Sequence, residues 1–346
     1  MANTVFFYVL PDPVYPASTL MLSYHPFICF SRGKALKNQS SYGIFNAVSL
    51  LSAETEIIMK ISDIYAQNRK TTISFEIFPP KKDEELENID STLEILAECK
   101  PAFISVTFGA GGSSNNNRTI ALASKIKEKY GIEPLVHLTG MCYDEHEIDE
   151  FAKEIEAAGI ENIMALRGDE NPNAKPKGVF PHASDLIAYL KERYDFCIAG
   201  ASYPEVHPNS VNRIDEMQNL KKKVDAGADV LLSQLFFKNT AFYRYMEDCA
   251  MMGIDIPNTP GVMPVTNAGQ IKRMVSMCGA YLPTAYEKII HRFEDNKEAL
   301  FDAGMAYAVS QIIDLLANDT DGIHLYTMNN TRIAHRICDA IRNIIL

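Results

Sequence analysis

No stretch of 18 consecutive apolar residues occurs in this 346-residue chain, so no transmembrane helix is expected. Paired cysteines are missing as well. The seven cysteines stand singly at 29, 99, 142, 197, 249, 278 and 338, with no CxxC pair. That scatter predicts reduced thiols in a cytoplasmic protein rather than a disulfide framework. Cations are scarce: 33 Lys and Arg face 44 Asp and Glu, a formal net charge of −11. A general nucleic-acid binder needs clustered Lys and Arg against phosphates, so that class is excluded. HExxH and Cys/His ligand spacings are absent, and no metal site is expected. GxxxxGK[ST] is absent, which removes a P-loop NTPase. No internal duplication or low-complexity tract stands out.

What is present is a large apolar fraction, 47%, with 22% charged residues. That balance belongs to a globular protein able to bury a sizeable core. Charge is unevenly spread. Residues 1–58 hold three cations (Arg32, Lys34, Lys37), three anions (Asp12, Glu54, Glu56) and nine of the 33 aromatics. Residues 59–346 hold the other 30 cations and 41 anions, and so the whole net charge. The leader shows no helical or strand period. No basic residue precedes its short Val5–Leu10 apolar run, against a secretory signal, and a transit peptide needs more Arg. The leader is expected to be disordered or a start-site artefact, with Met59 as an alternative start. The fold is then a single domain over 59–346.

Within that body, short β-branched apolar runs recur about every 30 residues. They are Ile73–Ile77, Phe103–Thr107, Leu135–Leu138, Ile163–Leu166, Cys197–Ala201, Val230–Leu235, Thr259–Val262 and, after a longer gap, Ile323–Thr327. Amphipathic stretches separate them: Leu86, Ile89, Leu93 and Leu96 step by 3, 4 and 3, which places one apolar stripe on a helix. Near-continuous apolar strands alternating with such helices predict βα units and a buried parallel sheet. Eight units predict an α/β fold, a (β/α)8 TIM-type barrel. The long last gap leaves room for extra helices over 284–293 and 297–317, before the last strand. A doubly wound open sheet is the alternative, but no GxGxxG follows the first strand.

A barrel of this kind carries its chemistry at the C-terminal ends of its strands. Glu76 sits there between Phe75 and Ile77, where a carboxylate loses water. Desolvation raises its pKa and suits it to act as a general acid; a helix cap or a pair with Arg167 is the bland alternative. Asp169 follows Arg167 and Gly168, where glycine permits close backbone approach; an N-cap or loop turn is its alternative. The 109–114 Gly/Ser loop could cradle an anion or simply connect strand to helix. His137, His207 and Glu205 could in principle converge, but hydrogen bonds to a bound cofactor fit them better than a metal. Asn219 and Lys223 share a helix face (i, i+4) directed toward the mouth, able to meet a pyrophosphate. The remaining cysteines and the Met251–Met252 pair read as filler.

Taken together the strand ends form an ordered set: Ser74-Phe-Glu-Ile-Phe-Pro-Pro80, Ser105-Val-Thr-Phe-Gly109, His137-Leu-Thr139, Ala165-Leu-Arg-Gly-Asp169, Tyr203-Pro-Glu-Val-His-Pro208, Gln234, Pro260-Gly-Val-Met-Pro-Val265 and His324-Leu-Tyr-Thr-Met-Asn329. From about Thr72 to the C-terminus the chain resembles the bacterial-type methylenetetrahydrofolate reductase family. The resemblance implies a barrel with non-covalent FAD. It also implies NADH or NADPH as co-substrate and reduction of 5,10-methylenetetrahydrofolate to 5-methyltetrahydrofolate, a step toward methionine, by ping-pong hydride transfer. It implies that Thr107, Phe108, Ala110, His137, Arg167, Gly168, Asp169, Ala183, Tyr203, His207, Ser210, Glu216, Asn219, Lys222 and Lys223 line FAD. Glu216 stands where the family has Asp. Glu76 is implied as the general acid, Asp169 as its companion near the pterin, and Gln234 and Tyr326 as substrate contacts. One departure concerns the folate tail: Asn330 replaces a usual basic residue, with Arg332 nearby. The length leaves no room for the regulatory domain of eukaryotic relatives, so inhibition by S-adenosylmethionine is not expected. Two other readings stay open: a flavin-free lyase or aldolase using the 109–114 loop, and a subunit fed electrons by a partner protein. A homo-oligomer is compatible with both; membrane and nucleic-acid partners are not expected.

Overall fold

The computed structural model describes residues 59–67, 71–80, 86–108, 113–169 and 175–345. The 1–58 leader and positions 109–112, Ala110 among them, lie outside these residues.

Strands β1 (Thr72–Ile77), β2 (Phe103–Val106), β3 (Glu133–Thr139), β4 (Asn162–Leu166), β5 (Cys197–Ser202), β6 (Val230–Ser233), β7 (Asn258–Thr259), β8 (Gly261–Val262) and β9 (Gly322–Tyr326) form one parallel sheet. Its order is β7-β6-β5-β4-β3-β2-β1-β9-β8. The two edge strands are halves of a single strand. Pro260 separates them, because proline has no N–H to give to a ladder. β7 pairs with β6 through Leu232 and Thr259, and β8 pairs with β9 through Gly261 and His324. The sheet therefore closes, and the eight expected strands make a TIM-type barrel.

Gly261 makes that closure feasible. Its N–H donates to Ser233 Oγ (2.9 Å), and Tyr326 Oη donates to the Ser233 carbonyl (2.8 Å). A Cβ at 261 would lie 2.6 Å from the Tyr326 ring and collide with the Ser233 carbonyl.

Strand side chains alternate between two cores. Ile73, Phe75, Ile77, Ile104, Val106, Val136 and Leu138 face outward into the helix layer. Phe103, Leu135, Met164, Cys197, Val230 and Leu232 fill the barrel floor. Helix α1 (Ile61–Gln67) plugs that floor with Ile61 and Ile64. The Asn162 side chain holds the plug, accepting from Ile61 N–H (2.8 Å) and donating to the Met59 carbonyl (3.4 Å). Each fully buried Ile or Leu contributes roughly 1.5–3 kcal/mol. With the N-terminal end sealed, the opposite end is left as the mouth.

The helix layer comprises α2 (Leu86–Glu98), α3 (Ser113–Tyr130), α4 (Glu145–Ala157), α5 (Ala183–Arg193), α6 (Arg213–Asp225), α7 (Asn239–Met251), α8 (Ala268–Cys278), α9 (Thr284–Phe293), α10 (Lys297–Ala317) and α11 (Thr331–Ile341). Side-chain caps start several of them. Asp144 and Glu147 form a capping box at α4, and Asn212, Asn267, Asn296 and Asn330 cap α6, α8, α10 and α11. α9 and α10 are the extra helices before the last strand. By length and composition α10 is apolar enough to cross a membrane, although no 18-residue apolar run exists. Its apolar side has another explanation in the structure: Leu300, Phe301, Met305, Ala308, Ile312 and Leu315 are buried in the protein.

Candidate active site

A cavity of about 380 Å³ opens at the C-terminal ends of the strands. β1 and its loop supply Glu76 and Phe78, the end of β2 supplies Thr107 and Phe108, and β3 supplies His137 and Thr139. Arg167, Gly168 and Asp169 follow β4, Tyr203 and His207 follow β5, and Gln234 follows β6. Tyr326 and Met328 come from the end of β9, and Met274 and Cys278 from α8.

Glu76 is an inward-facing residue one step from the end of β1, so the alternation that buries Ile77 outward turns its carboxyl into the barrel. Burial alone pushes its pKa up to about 8. Burial pushes His137 down to about 4. Glu76 Oε2 and His137 Nε2 lie 3.7 Å apart, yet both groups are neutral near pH 7, so this is no ion pair. His137 Nε2 is also a buried atom with no hydrogen-bond partner among the described residues.

Beneath them His324 is buried between two hydroxyls, Ser74 Oγ at 2.8 Å from Nδ1 and Ser105 Oγ at 3.4 Å from Nε2. Burial first, and then the nearby His137, hold its pKa near 3. Glu76, His137 and His324 thus form a stack of buried or nearly buried, uncharged polar groups beneath the cavity. A carboxylic acid there keeps its proton at neutral pH and can donate it, as a general acid must.

Backbone geometry shapes the walls. Gly168 has φ +91°, and a Cβ there would lie 3.1 Å from Thr139 Cβ, so glycine is what this turn accepts. Val206 has φ +73°, a conformation that a β-branched residue adopts only under strain, of order 1–3 kcal/mol. The strained turn sets His207 against Tyr203, ring centroids 4.6 Å apart. Glu216, buried on α6, secures this loop by accepting from His207 N–H (3.1 Å) and Ser210 Oγ (2.6 Å). Lys223 Nζ donates to the Ala201 carbonyl (2.8 Å) and lies 5.3 Å from the Tyr203 ring centroid. Phe108 sits in an edge-on aromatic trio with Tyr143 and Phe151.

Known proteins point the same way. The family model for methylenetetrahydrofolate reductase matches residues 60–342. The chain belongs to the methylenetetrahydrofolate reductase family. It is 34% identical over 270 residues to 5,10-methylenetetrahydrofolate reductase of Escherichia coli, covering 78% of this chain and 90% of that one. It is 33% identical over 290 residues to methylenetetrahydrofolate reductase (NADH) 1 of Arabidopsis thaliana, covering 79% of this chain and 48% of the relative. The chain thus spans about half the length of the plant relatives. A solved structure from Clostridium thermocellum, described as an uncharacterised protein that binds two copies of 5-methyl-5,6,7,8-tetrahydrofolic acid, superposes with a TM-score of 0.60. It covers 82% of this chain and 99% of that one at 13% identity, a likeness of fold alone.

In this reductase-family chain, most of the residues expected at the site converge on the cavity. Glu76, Thr107, Phe108, His137, Arg167, Gly168, Asp169, Tyr203, His207, Gln234 and Tyr326 all line it. Ala183, Ser210, Glu216, Asn219, Lys222 and Lys223 do not. Ala183 is buried at the start of α5. Ser210 and Glu216 brace each other, and Lys222 Nζ donates to Asn219 Oδ1 (3.0 Å) on the exposed side of α6. The ammonium of Lys223 is buried against Ala201 and Tyr203, two residues that line the cavity, and donates to the Ala201 carbonyl because a buried ammonium demands an acceptor. Among the described residues, Glu76 faces His137 rather than Arg167, while the start of the helix it was expected to cap lies outside those residues. Glu205 accepts from Tyr281 N–H (2.9 Å), away from His137. Arg332 pairs with Glu298 and lies over Phe301 (3.9 Å), while Asn330 caps α11. Phe78, Met263 and Met328 stand in the strand-end motifs with no role expected of them, Cys278 reads as filler and Met274 is not singled out by the sequence; all five line the cavity. The 274/278 spacing, i and i+4 on one helix face, was the available signal.

Proposed function

We propose that the protein reduces 5,10-methylenetetrahydrofolate to 5-methyltetrahydrofolate, taking electrons from NADH through non-covalent FAD in alternating half-reactions. The observation that carries this reading is Glu76: an acid, protonated at neutral pH, on the wall of a strand-end cavity, in a reductase-family chain. The names of the plant relatives specify NADH, which favours it over NADPH.

The residues present fit a flavin. The unpartnered His137 Nε2 offers a polar contact to a ring edge. Gly168 leaves the backbone bare beside the cavity, and Tyr203 and His207 wall it with π faces. Thr107, Phe108 and Arg167 complete that wall, and we assign Lys222, exposed on α6 beside Asn219, to the phosphates. Ala183, Ser210, Glu216, Asn219 and Lys223 act around this pocket by shaping the α5 and α6 ends. Hydride chemistry is what a bound flavin supplies.

The protein's own part is acid catalysis and orientation. Glu76 donates its proton to a ring nitrogen of the folate, which opens the five-membered ring to an iminium able to accept hydride. Positioned acid catalysis of this kind contributes roughly 10²–10⁴ in rate. Asp169, exposed at the rim, accepts hydrogen bonds from the pterin. Gln234 and Tyr326 hold nicotinamide and folate in turn within the same cavity. The test is an anaerobic titration of the purified protein with NADH, then with methylenetetrahydrofolate, following flavin absorbance. Bleaching by the first and recovery on the second supports the reading. A colourless protein that FAD does not reconstitute favours a flavin-free lyase, and a flavin that neither NADH nor NADPH bleaches favours a partner subunit as donor.

A further inference from the structure

The far end of the barrel carries a second cavity, of about 670 Å³, with two thiols on its wall. Cys99 follows the C-terminal end of α2 and is half-buried; Cys338, buried, lies in the last turns of α11. Both thiols face this one cavity, where α2 packs on α11, and each perturbs the other's titration; the Cys99 thiol also donates to the Ile95 carbonyl one turn back (3.6 Å). They come from the first and last βα units, whose strands β1 and β9 pair side by side. The same seam is already clasped at the mouth, where Asn329 accepts from Phe78 N–H (2.9 Å) and donates to the Phe78 carbonyl (2.9 Å). The thiol pair sits where a matching clasp would be.

The two sulfurs are unequal. The neighbouring Cys338 holds the Cys99 thiol below its usual value, with help from the Arg342 guanidinium. Cys99 and burial push Cys338 up. Cys99, half-buried where Cys338 is buried, is the thiol a small disulfide reaches first, and the thiolate is the attacking form; Cys338 is the resolving thiol. The adjoining cavity leaves room for a small leaving group.

We propose that Cys99 and Cys338 are an oxidation site, converted by a low-molecular-weight disulfide into an intramolecular disulfide that staples α2 to α11. Cys99 gives its proton to solvent and attacks one sulfur of R–S–S–R, releasing one R–SH as a mixed disulfide forms. Cys338 then gives up its proton, attacks the Cys99 sulfur and releases the second R–SH. Two protein thiols are oxidised and one small disulfide is reduced to two thiols, with no other reactant.

The test uses the full-length folded protein and oxidised glutathione. Peptide mapping is expected to recover a Cys99–Cys338 linked peptide, and the melting temperature is expected to rise by roughly 5 °C or more, reversed by reductant. Cys338→Ser should stop at a glutathione adduct on Cys99, and Cys99→Ser should leave Cys338 unmodified. Cys338→Ala serves if serine at this buried position prevents folding. A link through another pair, an adduct persisting on Cys99 of the unaltered protein, an unreactive Cys99 in the folded chain, or a link that leaves the melting temperature unmoved overturns the proposal.

Discussion

The Glu76 carboxyl lies 3.7 Å from His137 Nε2, and burial holds both groups uncharged at neutral pH. An ordinary Glu–His contact would be an ion pair. Here the acid keeps the proton and the imidazole does not take it, which leaves a donor facing the cavity. Glu76→Gln removes the acidic proton and keeps the shape. Folate reduction should fall by roughly 10²–10⁴, while flavin reduction by NADH survives. Rapid-reaction measurement of the two half-reactions separates them; equal loss in both would show that Glu76 does not act as the acid.

The same burial gives a pH signature. Glu76 loses its proton near pH 8, so the folate half-reaction should decline above about 8 with a single titration, and the NADH half-reaction should not. Stability moves too. The folded pKa of Glu76 is raised, so between about 4.5 and 8 the folded state binds the extra proton and stability falls as pH rises. Glu76→Gln should therefore stabilise the protein at pH 8 relative to pH 5, by up to a few kcal/mol. His137 and His324 have the opposite sign. Their folded pKa values near 4 and 3 lie below the unfolded value, so their contribution is present above about 6.5 and is lost as pH falls toward 4. Thermal unfolding across pH 4–9, with and without the substitution, checks both signs.

Much of this architecture is legible in the sequence, because β-branched runs and 3–4 spacings report directly on burial. The bounds of α9 and α10 agree residue for residue with the expected helices, and the strand runs agree to within two residues at either end. Glu76 stood out as a charge in an apolar strand. Other features depend on what a residue meets across the fold, which spacing does not encode. Pro260 splits the closing strand only because it falls between two different partners. Lys223 looks like a surface cation and finds the Ala201 carbonyl. Met274 and Cys278 look like filler until α8 is folded over the mouth.

Asn329 illustrates the last point and is testable. At φ +57° it adopts a left-handed turn that Asn tolerates, and its amide spans Phe78 N–H and C=O. Asn329→Ala removes both bonds and strains the turn. A stability loss of about 1–2 kcal/mol is expected, read from the denaturant midpoint. The KM for the folate should rise with little change in the NADH half-reaction, because Phe78 and Met328 flank the cavity.

Gly261 tests the closure of the barrel. A methyl group there cannot avoid Tyr326 or the Ser233 carbonyl, both of which are tied to each other by the 2.8 Å bond from Tyr326 Oη. Gly261→Ala should destabilise by about 1–3 kcal/mol or more. It should also weaken folate reduction, since Tyr326 lines the cavity. A variant with an unchanged unfolding midpoint would mean that β8 shifts freely.

The charge seam near residue 58 yields the final prediction, in the form of two truncations. All described residues lining the cavity lie at 76 or beyond, and the 1–58 segment carries no net charge to offer anionic ligands. A 59–346 chain should bind FAD as the full chain does. A 68–346 chain should not, because it also removes α1, whose fully buried Ile61 and nearly buried Ile64 plug the barrel floor and whose Ile61 N–H satisfies the buried Asn162. Losing two buried isoleucines costs several kcal/mol, a large share of the stability of a domain. Flavin retention on gel filtration, together with thermal unfolding, distinguishes the two chains. Loss of flavin from the 59–346 chain would move the domain boundary into the leader.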